Sequence, residues 1–258
     1  MIENTDQRAR QALILWGVFI GINILLNGTI LFTMGKDVSV WTASALKDVL
    51  YNFIQYGLVF LVAPLILTKG WEKVRQPAFL LPLILAILAM TLRAYFRPVP
   101  VIAVLVFAWL HYRYALSELG FRSSGWLGDM VAVLLMGLIY LLPSISQIDF
   151  SSFAPASAFV AMLDRMFANP ASTTEYLFYF GFLAERLSAK FGGRLTPLMI
   201  GFMYMLHEMT NPEYWYEGMN FPLVFVGVAV FAMIYLWRRS VIAIWLGDGL
   251  GRFLSRLF

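Results

Sequence analysis

Apolar runs of bilayer length recur along the whole chain, and they constrain its fold more than any other feature. A helix needs about 20 consecutive apolar residues to cross the hydrocarbon core. Stretches of that kind lie at about 11–34, 48–68, 78–96, 99–112, 126–146, 171–190, 195–210, 221–238 and 240–257. The fourth is short and follows the third across "RPVP", so it reads either as a span or as a re-entrant piece. Sixty per cent of the 258 residues are hydrophobic and 13% are charged, where a soluble domain carries about a quarter charged residues. Too little polar surface remains to cover a water-soluble globule. The expected fold is therefore all-α: a polytopic helical bundle of eight or nine spans in one membrane domain, residues 1–258.

Within that domain, residues 1–146 hold the N-terminal spans and 171–257 the C-terminal core. The connection between them, 147–170, reads as a loop with a short amphipathic helix at 157–168, with Asp164 and Arg165 on its wet face. The start "MIENTDQRARQALILW" places acids before its arginines, so it is expected to be an uncleaved first span. Cysteine is absent, which excludes disulfides, thiolate metal sites and Cys nucleophiles. The net charge of +4 fits basic loops and gives no reason to expect nucleic acid. Counted over nine spans, 12 Lys and Arg fall on one side and 7 on the other, which favours a cytoplasmic N-terminus. A multi-pass protein of a bacterial inner (plasma) membrane is the expected setting, with the lipid bilayer as its first partner.

Ionisable groups inside spans are expensive and read as functional by default. Glu175 heads one span, behind the helix-start pair Asn169–Pro170. His207 ends the next, and Asp248 and Arg252 lie four apart on the last. The helices of Glu175 and His207 are joined by a short loop and so run antiparallel. One more span separates His207 from the last helix, which makes those two parallel. Direction alone thus brings all four groups toward the same depth. Plain structural readings exist for each. Glu175 can complement a helix dipole, His207 can sit at the interface, and Asp248 with Arg252 can form an i,i+4 ion pair. Glu208, Glu213 and Glu217 read as a wet loop. Asn23 and Asn27 read as hydrogen-bonding bridges between helices.

From Glu175 onward, over about 85 residues, the chain resembles the CPBP family, which includes the type 2 CAAX prenyl endopeptidases and bacteriocin-immunity proteins. That family opens its core with a Glu-Glu pair and Phe-Arg-Gly. "EYLFYFGFLAERLSAKFG" keeps Glu175, Gly181, Leu187, Phe191 and Gly192 in register, with Tyr176 at the second Glu and Phe180 at the Arg. The family's Phe four residues before a His becomes Met203 and His207 in "MYMLH". Its last His and Asn fall on Asp248 and Arg252 in "YLWRRSVIAIWLGDGLGR".

The resemblance implies an intramembrane endopeptidase in which Glu175 and His207 activate a water. Arg252 supplies the positive charge facing an oxyanion, and a charged Asp248 cannot donate there. Tyr176, Phe180 and Met203 then line the substrate pocket, and the substrate is a membrane-associated peptide. The resemblance fixes no cofactor. Glu175, His207 and Asp248 also make a two-carboxylate, one-histidine set able to hold a divalent metal such as Zn. The changed motif positions allow a second reading: a catalytically degraded homologue serving as scaffold, immunity factor or subunit beside a membrane-protein partner.

Overall fold

The computed structural model describes residues 4–34, 50–69, 125–141, 153–168 and 174–257, with isolated positions between 72 and 122. Among them the chain is all helical, and its β contact is an isolated antiparallel bridge between Phe121 and Ser240. The helices are α1 (Thr5–Met34), α2 (51–69), α3 (Trp126–Leu141), α4 (155–168), α5 (174–191), α6 (193–209), α7 (Pro212–Tyr216), α8 (Phe221–Arg238) and α9 (Val241–Leu254). The expected span 99–112 lies outside the described residues, as do Asn169, Pro170 and all of the expected span 78–96 except Leu80 and Ile84. By length and composition, two of the described helical segments are able to cross a membrane: Thr5–Gly28 and Phe221–Arg238. The apolar segments Phe53–Thr68 and Trp126–Leu141 are shorter.

Local sequence sets the helix ends. Asn220 accepts from the Leu223 amide and Pro222 sits in the first turn of α8. Arg239 closes α8 in the left-handed conformation, and Ser240 at once caps α9 by accepting from the Ala243 amide. Only two residues join those helices, so α8 and α9 leave the turn side by side. The turn between α5 and α6 falls at Gly192, with φ 74° and ψ 175°. A side chain there would be strained, so glycine is what lets the chain reverse.

Apolar side chains fill the core and also cover much of the exterior. Side chains that point outward include Leu25, Leu134, Leu138, Phe202, Val226 and Met233, each more than half exposed. Buried inside are Asn23, Asn27, Gln55, Glu175, Arg186, His207 and Asp248. So extensive an apolar exterior marks a surface that meets something other than water.

Two polar layers sit at opposite ends of α5. At its C-terminal end, Glu185 accepts from Tyr235 Oη at 2.8 Å and pairs with Arg239 at 3.0 Å. Lys190 pairs with Asp6 at 3.0 Å, where the start of α1 meets the end of α5. Arg186 corrects the charge count: it is no loop residue but is 2% exposed, donating to Gln11 Oε1 at 2.8 Å and to the Leu67 carbonyl. Between the layers α5 takes a π-helical course over Leu177–Ala184, every residue of it buried.

Close helix contact is sharpest where α6 meets α8. A Cβ on Gly201 would stand 2.6 Å from the Phe225 carbonyl oxygen, a backbone atom that cannot rotate away. Gly201→Ala is expected to cost about 1–3 kcal/mol through overpacking. Gly227→Ala, where a Cβ meets nothing within 4 Å, is expected to be close to neutral. Thermal unfolding of the two variants in detergent checks the contrast.

Candidate functional site

The turn at Gly192 lays α6 back along α5 and brings Glu175 opposite His207. Glu175 Oε1 lies 3.6 Å from His207 Nδ1, and the two residues are 5% and 7% exposed. The antiparallel arrangement expected from connectivity holds, and both groups do lie at one depth. Glu208 joins them. One ligand atom from each of Glu175, His207 and Glu208 lies within 4.8 Å of the others. That corrects its assignment to a wet loop: it is partly buried and faces the cluster. Tyr204, one turn earlier on α6, has its hydroxyl beside the side chains of both glutamates.

His207 is held from several sides. Its Nε2 lies 2.6 Å from the Gln55 side-chain amide of α2. Phe19 meets the ring edge-on at 4.8 Å, and Tyr179 stacks parallel to it at 5.9 Å. Phe60 and Tyr204 complete the wall. The remaining nitrogen, Nδ1, has no hydrogen-bond partner among the described residues. At 3.6 Å the Glu175 oxygen is too far to accept from it.

A second polar group lies beside the first. Arg165 Nε donates to Asp248 Oδ2 at 2.7 Å, and Arg165 Nη2 reaches Tyr176 Oη at 3.4 Å. Two expectations change here. Arg165 is not on the wet face of α4, since its guanidinium turns inward while Asp164 stays exposed. Asp248 does not pair with Arg252, because Arg165 from a different helix takes both its oxygens. A buried carboxylate is satisfied best by a bidentate guanidinium, and an i,i+4 neighbour cannot supply that geometry as readily.

Arg252 lies one turn further on, half-buried, and forms no ion pair with this group. Its carbonyl accepts from Ser255 Oγ at the end of α9. Met203 is a buried core residue one turn before His207. Tyr176 and Phe180 do line a cleft of about 560 Å³, together with Arg165, Tyr204, Asp248 and apolar side chains of α3 and α8. Glu175, His207 and Glu208 are not in that lining; Tyr176 and Tyr204, their neighbours along α5 and α6, are.

Asp248 is also replaced in the expected metal set. Among the described residues, the group of three close enough to share an ion is Glu175, His207 and Glu208. Sequence reasoning missed Glu208, Gln55 and Arg165. A signal for Glu208 was present, since it is adjacent to His207 on the same helical turn. None existed for Gln55 or Arg165, whose partners are 152 and 83 residues away. Comparisons with protein-family models, curated proteins and solved structures found no match to this chain.

The Arg165–Asp248 pair makes a sharp energetic prediction. Removing one member of a buried pair strands the other charge, at about 3–5 kcal/mol when burial is complete. The Arg165 side chain is 29% exposed, so Arg165→Met is expected to cost about 2–3 kcal/mol. Adding Asp248→Asn should restore much of that loss in thermal melting. A double variant no more stable than Arg165→Met alone would show that the pairing does not hold α4 to α9.

Proposed function

We propose that this chain is a multi-pass membrane hydrolase with a CPBP-like core, cleaving a membrane-associated peptide. The observation that carries the reading is the buried Glu175–His207 pair, 3.6 Å apart, with a spare nitrogen facing a carboxylate. That gap leaves both groups free to bind one water, with Glu175 taking its proton as the oxygen attacks a carbonyl carbon. Arg165 takes the part first assigned to Arg252. It lines the cleft beside the Tyr176 and Tyr204 hydroxyls, three donors suited to a developing oxyanion. The apolar wall from α3 and α8 suits the hydrocarbon part of a lipid-embedded substrate.

The span count rests on the same footing. The outward-facing apolar residues on α1, α3, α6, α8 and α9 support more crossings than the two longest helical segments. Eight or nine spans are proposed from the apolar runs along the whole chain, in a bacterial inner membrane. Arg186 and Arg165 leave the basic count from opposite sides, so its bias toward a cytoplasmic N-terminus stands.

One observation favours the scaffold reading. Asp248 is neutralised by Arg165, and Tyr176 and Phe180 place bulk at the cleft, an arrangement that also suits a locked bundle. The two readings part on one experiment. For a hydrolase, Glu175→Gln and His207→Ala each lower cleavage of a membrane-tethered reporter peptide at least a hundredfold, with folded yield intact. For a scaffold, the same changes reduce thermal stability or partner retention, and no cleavage is seen in the parent protein.

A further inference from the structure

We infer that Gln55 is a positioning residue: its side-chain oxygen accepts from His207 Nε2–H and so holds the histidine in the tautomer whose lone pair lies on Nδ1, facing Glu175. The catalytic consequence rests on the hydrolase reading, whereas the tautomer itself can be read without any cleavage.

Gln55 stands on α2, outside the stretch that carries the CPBP resemblance, and it is 4% exposed. An amide buried in an apolar run is costly unless it is hydrogen-bonded. Among the described residues its hydrogen bond goes to His207 Nε2 at 2.6 Å. The side chain can present either its NH2 or its oxygen there, because a half turn exchanges the two with almost no change of shape.

Two observations choose the oxygen. First, with the NH2 inward, Gln55 Oε1 and His207 Nδ1 are both buried with no hydrogen-bond partner among the described residues. Turning the oxygen inward satisfies Oε1 and leaves Nδ1 as an acceptor. Second, the displaced NH2 has somewhere to go. A cavity of about 10 Å³ is lined by Gln55 and Asn23. That is room for a single water, which can accept from the amide.

The rings that grip His207 do not make the choice themselves. Phe19 meets it edge-on and Tyr179 lies flat against it, contacts that fix the ring plane and not the proton. The proton's place is decided by what the two nitrogens face. Glu175 Oε1, 3.6 Å from Nδ1, draws the proton toward that side. The Gln55 oxygen opposes it and keeps the proton on Nε2.

The tautomer matters for the attacking water. With Nδ1 an acceptor, the water gives one hydrogen to Nδ1 and the other to Glu175, and its oxygen lone pairs stay free. One pair forms the bond to the carbonyl carbon, the C=O π electrons move to the carbonyl oxygen, and Glu175 takes the proton. With the proton on Nδ1, the histidine would instead donate to the water oxygen and occupy a pair that must attack. A bare tie between α2 and α6 is the plainer role for Gln55. Losing such a tie would lower stability and leave the ring proton where it was.

The test uses the full chain in detergent, labelled with nitrogen-15 histidine and followed by NMR. The chain has two histidines, so a His111→Gln variant identifies the His207 signals. At neutral pH the parent is expected to show a protonated Nε2 and a bare Nδ1. Gln55→Met, similar in length and without an acceptor, is expected to shift the balance toward the Nδ1–H form about tenfold. It is also expected to lower kcat for the tethered reporter about 10–100-fold, with KM within about twofold of the parent's. A parent with the proton on Nδ1 overturns the inference, and that spectrum decides even if Gln55→Met does not fold. A Gln55→Met protein whose tautomer and kcat match the parent's overturns it too. If the tautomer shift is seen and the parent cleaves nothing, the positioning stands and the hydrolase reading falls. Cleavage that depends on Glu175, in a parent with the proton on Nδ1, does the reverse.

Discussion

The burial of carboxylates inside an apolar bundle is the constraint from which the rest of the structure follows. A bare charge in such a place costs many kcal/mol, so each one must recruit a partner. Asp248 draws Arg165 in from the connecting segment, and that contact ties α4 to α9. Glu185 gathers Tyr235 and Arg239 and so fixes α5 against α8. Glu175 is the exception. The Tyr204 hydroxyl lies beside it, and the group across from it is His207 at 3.6 Å. The cluster that is least neutralised is also the one where the chemistry is proposed.

The turn at Gly192 gives that cluster its geometry. Because α5 and α6 are consecutive and antiparallel, the register between Glu175 and His207 is fixed by a single backbone reversal. Aromatic rings then leave the histidine little freedom to rotate. A pre-organised side chain of this sort is what a site requires, whether the occupant is a water or an ion.

Much of this was legible in the sequence because it depends on hydropathy and chain direction alone. The apolar runs placed α1, α8 and α9 closely, and connectivity placed Glu175 and His207 at one depth. What the sequence hid is side-chain choice between competing partners. Asp248 had a candidate four residues away in Arg252, yet the 83-residue-distant Arg165 reaches it with a better fork. Glu208 looked like the beginning of a wet loop because acids follow it at 213 and 217, while α6 in fact carries it into the cluster. Gln55 had no local signal at all, since an amide in an apolar run acquires meaning only from what stands opposite.

The uncharged, fully buried stretch Leu177–Ala184 has an electrical consequence. It separates the Glu175 layer from the Glu185 layer by eight residues of helix, and its interior is packed with aromatic rings. In a polarised bilayer most of the voltage would drop across that slab rather than across the wetter ends. Protons and ions able to reach one layer would meet an insulator before the other.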